Sequence, residues 1–237
     1  WENIIAHELF HQWFGDYVTT ESWSNITVNE SFADFSETIW NEYKYGQDKG
    51  DEKNFLDMQQ YLNSNSANKQ LVRFYYADKE DVFDNVSYPK GGRILNMLRH
   101  YLGNDAFYAS LHKYLTDNKF KNGEAQQLRL AFESVVGQDL NWYWNEWYYS
   151  TDHPILDISY VYDDAAHKAS VIVQQKQTQQ IFKMPVNIDI YNGAAKTRHQ
   201  VWIQNPVDTF TFDYTTRPDL INFDGDKVLL CIKTDHK

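Results

Sequence analysis

The sequence contains one cysteine, Cys231, so no internal disulfide can form and a disulfide-stapled scaffold is excluded. It has no apolar run approaching the roughly 18 residues a membrane-spanning helix needs, so no membrane segment is expected. It lacks any excess of basic side chains. Against 22 Lys and Arg stand 33 Asp and Glu, a formal net charge of −11, which argues against nucleic acid or an anionic membrane as a partner. No signal-peptide pattern is visible. Because the chain starts abruptly at Trp1, a few residues before its most informative motif, a piece of a longer protein is expected. These features leave the compartment open between cytoplasmic and exported.

What is present is a globular composition, 42% hydrophobic and rich in aromatics, with 8 Trp and 17 Tyr. The 237 residues suffice for two modest domains or one large one. The texture changes near residue 152. Before it, apolar residues recur at helical spacing; after it, apolar and polar residues alternate. The first part predicts helices over Glu2–Gly15, Asn29–Tyr45, Glu52–Leu62, Pro89–Gly103, Asn104–Thr116, Glu124–Val136 and Leu140–Tyr149. A polar, aromatic loop, 16–28, separates the first two. Trp142, Trp144 and Trp147 are expected to pack, as are Trp13 and Phe14. The second part predicts strands over Leu156–Tyr162, Ala169–Gln175, Val186–Tyr191, His199–Ile203, Thr209–Asp213 and Lys227–Lys233. Together they read as a small antiparallel β-sandwich. Gln174–Gln180 reads as an exposed hairpin connection. The expected fold class is therefore α+β and multidomain, with a mainly helical domain at 1–152 and a β-sandwich domain at 153–237.

The chemistry is concentrated in His7-Glu8-Leu9-Phe10-His11. On a helix, residues i and i+4 share a face with Cβ atoms about 6 Å apart, which lets two imidazoles meet one Zn²⁺. Glu8 flanks that point without ligating it, as suits a base for water. In a chain of this size such a pattern arises by chance with a probability on the order of a per cent or two, so it needs support. Glu30, nineteen positions after His11 and at the start of the second helix, supplies a third ligand. Two His and one Glu leave a fourth position open for water, the catalytic arrangement. The first helix is otherwise apolar, with Ile4, Ile5, Leu9, Phe10, Trp13 and Phe14, and a buried helix does not carry two histidines and a glutamate without partners. Tyr88, in Val-Ser-Tyr-Pro-Lys-Gly-Gly, is placed to donate to an oxyanion. Asp34, one turn after Glu30, is expected to accept the outer N–H of a ligand histidine, with Glu37 as the substitute. Lys90 and Arg93 read as exposed helix charges. His100, His112, His153, His167, His199 and His236 have no ligand spacing and read as surface or structural histidines. Trp23, Asn25 and Asn29 are expected to shape the ligand loop.

His7-Glu8-Leu9-Phe10-His11-Gln12-Trp13-Phe14-Gly15-Asp16, then Trp23, then Asn29-Glu30-Ser31-Phe32-Ala33, resembles the gluzincin zinc aminopeptidases of the aminopeptidase N and leukotriene A4 hydrolase type. The resemblance continues at Tyr88-Pro89-Lys90-Gly91-Gly92 and at Trp144-Asn145-Glu146-Trp147 leading to His153-Pro154. It implies the later part of a thermolysin-like catalytic domain followed by a β-sandwich domain. It also implies one zinc ion per chain on His7, His11 and Glu30, Glu8 as general base, and Tyr88 as stabiliser of the tetrahedral intermediate. The implied reaction is removal of an N-terminal residue from a peptide substrate. Two departures bear on this. Ser31 stands where the family usually has glycine. The family's upstream Gly-x-Met-Glu-Asn motif, whose glutamate binds the substrate's α-amine, has no counterpart here; Glu2-Asn3 resembles its ending but lies on the zinc helix. An endopeptidase of thermolysin type, or a fragment inactive or non-catalytic by itself, therefore remains open beside the aminopeptidase reading, with missing parts of the parent protein as expected partners.

Overall fold

The computed structural model describes residues 1–236, which divide into two compact units, Trp1–Asp152 and a second beginning at His153. The first unit is built around a long helix, α2 (Thr27–Tyr45), preceded by α1 (Glu2–Phe10) and followed by α3 (Gln47–Leu62). After a loop, a π-helical turn at Val86–Lys90 leads into α4 (Gly91–Leu102), then α5 (Asn104–Asp117), α6 (Ala125–Val136) and α7 (Asn141–Trp147). Two short strands, β1 (Thr19–Thr20) and β2 (Asn122–Gly123), pair in parallel and tie the loop after α1 to the segment after α5. Helices α1, α3 and α4 all pack on α2. Its inward face carries Phe32, Ala33 and Phe35, and Phe14 stacks on Phe32 with ring centroids 4.0 Å apart. Trp144 and Trp147 are fully buried, and the Trp144 indole N–H donates to Ala125 O. Among the described residues no helix is long and apolar enough to cross a membrane.

Several details differ from the sequence expectation. Helix α1 ends at Phe10, not Gly15, because the carbonyls of His11, Gln12 and Trp13 are taken by the amides of Asp16, Tyr17 and Val18, which wraps the chain into turns. Its apolar residues are not interior: Ile4, Ile5 and Leu9 are 55–64% exposed, and Trp13 is 46% exposed. Helix α3 starts at Gln47, five residues early, helped by a Gln47–Asp51 hydrogen bond one turn apart. Lys90 and Arg93 are buried, not exposed, since they lie on the packed face of α4 and its preceding turn. The Lys90 ammonium donates to Asp152 O and lies over the Tyr61 ring, while Arg93 donates to Asn54 O.

Burial pulls Lys90 down to about 7 from the ordinary lysine value near 10.5. Between those two values the unfolded chain carries a proton that the folded one does not, so stability rises with pH across that window. Lys90→Met is therefore expected to raise the melting temperature at pH 6–7 by several degrees. The gain should shrink as pH rises above 7 and disappear near 10.5. Calorimetry at a series of pH values checks this.

The second unit contains β3 (Ile155–Asp163), β4 (Lys168–Gln175), β5 (Met184–Asn192), β6 (Ala195–Ile203), β7 (Val207–Asp213), β8 (Leu220–Phe223) and β9 (Ile232–His236). They form two sheets, ordered β7-β4-β3-β9 and β6-β5-β8. Alternate residues are buried: Leu156 and Ile158, Ala169, Val171 and Val173, Val186, Ile188 and Ile190. The pairing is not wholly antiparallel, because β9 lies parallel to β3. The last strand is Ile232–His236 instead of Lys227–Lys233, and β8 is an additional short strand. Gln175 and Gln177 are buried, not part of an exposed connection. Gln175 exchanges hydrogen bonds with the backbone of Phe182, and Gln177 bridges Gln175 to the Ile155 amide. A fully hydrogen-bonded amide tolerates burial. The buried Asp189 carboxylate is met across the β5–β6 pair by Arg198 through two bonds of 2.7 Å.

Candidate metal centre

The centre lies where α1 crosses α2, wholly within the first unit. His7 sits in the last turn of α1, and His11, just past its end, keeps helical angles (φ −60°, ψ −19°), so the two imidazoles remain one turn apart. Their ring centroids are 5.1 Å apart. Glu30 stands in the first turn of α2, facing both rings. Its Oε2 is 3.4 Å from His7 Nε2 and 3.4 Å from His11 Nε2. The three prospective ligand atoms all lie within 4.8 Å of one another.

The outer nitrogens fix the chemistry of the inner ones. His7 Nδ1 is 3.1 Å from Glu37 Oε1, and His11 Nδ1 is 3.1 Å from the Phe14 carbonyl oxygen. Both partners only accept, so each Nδ1 carries the proton and donates it. In the neutral rings each Nε2 then presents a lone pair toward Glu30. Oε2 of Glu30 is buried and accepts no hydrogen bond among the described residues. With both rings neutral, three acceptors converge, which is the donor set of a small divalent cation; two nitrogens and a carboxylate oxygen suit zinc. The local field says the same. Burial opposes charge on His7, but Glu30 and Glu37 outweigh it and raise His7 to about 9. The adjacent Glu30 carboxylate raises His11 despite burial. Burial also opposes the charged form of Glu30, yet the two histidines hold it near 2. The pocket is one that draws positive charge.

Tyr88 is brought to the same place. Its ring lies parallel to that of His7, centroids 5.8 Å apart. Burial first, then the charge of Glu30 and hydrogen bonding to it, and the charge of Glu8 push its phenol well above the usual range, so it remains a donor. Two glycines permit this approach. A Cβ on Gly91 would fall 1.8 Å from Ser31 Oγ, and one on Gly92 would fall 2.3 Å from Asp34 Oδ2. Only glycine lets α4 come this close to α2, and Tyr88 rides on the turn just before it. Ser31 Oγ donates to Ser87 O at 2.7 Å, joining the residue after Glu30 to the residue before Tyr88. That turn is π-helical, a geometry common at functional sites. Glu8 projects from α1 beside His7 and is exposed to solvent.

The carboxylate that meets His7 Nδ1 is that of Glu37, not Asp34. Asp34 is buried behind it, with Oδ1 3.6 Å from Lys53 Nζ and Oδ2 accepting no hydrogen bond among the described residues. Burial raises Asp34 to about 7 against the pull of Lys53. Lys53 itself was not legible as part of the site, although its i, i+4 spacing to Asp57 marks a helix ion pair. Asn25 helps shape the ligand loop by accepting the Ala125 amide at 3.1 Å.

The model of the Peptidase family M1 domain matches residues 1–147. Probable aminopeptidase 1 of Sulfurisphaera tokodaii is 28% identical over 200 residues, covering 82% of this chain and 25% of that protein. Aminopeptidase A of Gloydius brevicauda is 34% identical over 160 residues, covering 65% of this chain and 17% of that protein. Aminopeptidase N of Haemonchus contortus is 36% identical over 140 residues, covering 56% and 14%. Legionella pneumophila aminopeptidase A, solved with aspartic acid, superposes over 99% of this chain and 27% of its own at a TM-score of 0.82 and 18% identity, a likeness of fold. The chain therefore spans a quarter or less of the length of the curated relatives named here. With the family's domain matched across the whole of the segment that carries His7, His11, Glu30 and Tyr88, this chain belongs to peptidase family M1.

Proposed function

We propose that this chain carries the metal centre of a zinc-dependent aminopeptidase, and that the parent protein removes N-terminal residues from peptides. The observation behind this reading is the convergence of His7 Nε2, His11 Nε2 and Glu30 Oε2 within 4.8 Å of one another. These atoms would hold one Zn²⁺ per chain. When bound, zinc supplies Lewis acidity to a water and to the peptide carbonyl. Glu8 accepts the proton of the attacking water and later returns it to the leaving amine. Tyr88 donates a hydrogen bond to the carbonyl oxygen as negative charge develops there. Glu37 and the Phe14 carbonyl hold the two imidazoles in the ligating tautomer.

The exposed apolar side of α1 bears on how the parent is built. Ile5, Leu9 and Trp13, with Ile39, Trp40 and Tyr43 of α2, line a groove of about 460 Å³. We assign this groove to packing by another part of the same polypeptide, since the relatives are at least four times longer than the matched segment. Activity is accordingly expected of the whole protein.

The test is hydrolysis of fluorogenic peptides with a free or a blocked N-terminus, with and without chelation. Chelator-sensitive cleavage of free-amine substrates alone supports the aminopeptidase reading; cleavage of blocked peptides points to an endopeptidase. In the same assay Tyr88→Phe is expected to lower kcat by about a hundredfold or more while zinc content stays the same. A kcat within a few-fold of the unsubstituted enzyme removes Tyr88 from the mechanism.

A further inference from the structure

Behind His7 the structure holds a buried charge cluster. Lys53 of α3 places its ammonium among three carboxylates: Asp57 on its own helix, at 2.6 and 2.7 Å, and Glu37 and Asp34 on α2, at 3.4 and 3.6 Å. The lysine side chain is 14% exposed, and those of Asp34, Glu37 and Asp57 are 7–16% exposed. Arg93 of α4 lies near enough to influence Asp57, and His7 of α1 closes the far side. The division of the Glu37 carboxylate is the informative feature. Its Oε2 faces Lys53, and its Oε1 faces His7 Nδ1 at 3.1 Å. One oxygen is anchored and the other is left to accept from the ligand histidine.

We propose that Lys53 is a positioning residue of the metal centre, clamping Glu37 so that Glu37 holds His7 in its ligating orientation. Asp57 fixes the lysine through two hydrogen bonds one helical turn away, which removes most of the freedom of a long side chain. The route therefore runs from α3 through Lys53 to Glu37 of α2 and to His7 of α1. Without the clamp, Glu37 is one of three neighbouring carboxylates that repel one another, and nothing on its second oxygen selects the rotamer facing His7. Carboxylates that orient ligand histidines typically change metal affinity by about 10–100-fold when lost, and Lys53 acts through such a carboxylate.

This inference rests on the zinc reading above, and one set of measurements separates the two. Zinc dissociation constants are measured by chelator competition, at one pH, on the whole protein and on Lys53→Met, Lys53→Arg, Glu37→Gln and the Lys53→Met/Glu37→Gln pair. Thermal unfolding of each metal-free form is recorded alongside. We expect Lys53→Met to weaken zinc binding by about tenfold and Glu37→Gln by about 10–100-fold. The pair should be no weaker than Glu37→Gln alone, and Lys53→Arg should recover most of the affinity. A merely structural lysine would lower the metal-free melting temperature without this non-additivity. If Lys53→Met does not fold, Asp57→Asn loosens the ammonium while keeping its charge, and a several-fold loss of zinc affinity is expected. Unchanged affinity in a folded Lys53→Met or in Asp57→Asn, or additive losses in the pair, overturns the role of Lys53. A whole protein that takes up no zinc overturns the metal reading itself and the Lys53 role with it.

Discussion

Glu8→Gln is expected to leave zinc bound at one ion per chain and to lower kcat by about three orders of magnitude. Glu8 follows His7 on α1, so it flanks the point on which the imidazoles converge but is not among the three atoms that meet there. A carboxylate in that place has no metal to hold and is free to carry a proton from the water to the leaving amine. Glutamine keeps the shape and the hydrogen-bonding reach and loses only the basicity, so the loss should fall on kcat and leave KM nearly unchanged. Zinc analysis with steady-state kinetics on the whole protein checks both halves. Retention of more than about a tenth of the activity would remove Glu8 from the proton-transfer role, and loss of zinc would make it a ligand or a structural support instead.

The second large effect concerns the ligands. Glu30→Ala, His7→Ala and His11→Ala are each expected to weaken zinc binding beyond the roughly 10–100-fold seen when only an orienting partner is lost. Activity should disappear with the metal. Glu30 is the sharper test, because it comes from a different helix than the two histidines. In the unsubstituted protein, zinc at a hundredfold excess over its dissociation constant should stabilise the fold by about 2.7 kcal/mol, and the Glu30→Ala protein should show little of that increment. Melting curves with and without added zinc measure it. Zinc-induced stabilisation of equal size in both proteins would place the metal elsewhere.

Much of the candidate centre was legible because it is local. The His7–His11 spacing is a property of one helical turn and needs no tertiary information. Glu30 and Tyr88 were reached by motif and resemblance, and the fold brings both to the histidines. What failed depended on how elements cross. Asp34 and Glu37 both project from α2 toward the histidines, one turn and two turns after Glu30. Which one meets His7 is decided by the angle at which α1 crosses α2, and sequence spacing does not encode that angle. Lys53 comes from a third helix, so no pattern within the motif pointed to it. Lys90 and Arg93 read as surface charges from their type alone, yet they are buried with backbone carbonyls as partners. Gln175 and Gln177 misled for the same reason: a polar run signals solvent unless a tertiary network satisfies it. In the second unit, alternation gave the strands, but the parallel β3–β9 pairing is a long-range choice that alternation does not carry.

X-ray diffraction from crystals of the whole protein, collected on both sides of the zinc absorption edge, tests the centre most directly. We expect an anomalous peak between His7 Nε2, His11 Nε2 and Glu30 Oε2, present above the edge and absent below it. Crystals grown with zinc that show ordered rings and carboxylate but no peak at that point would contradict it.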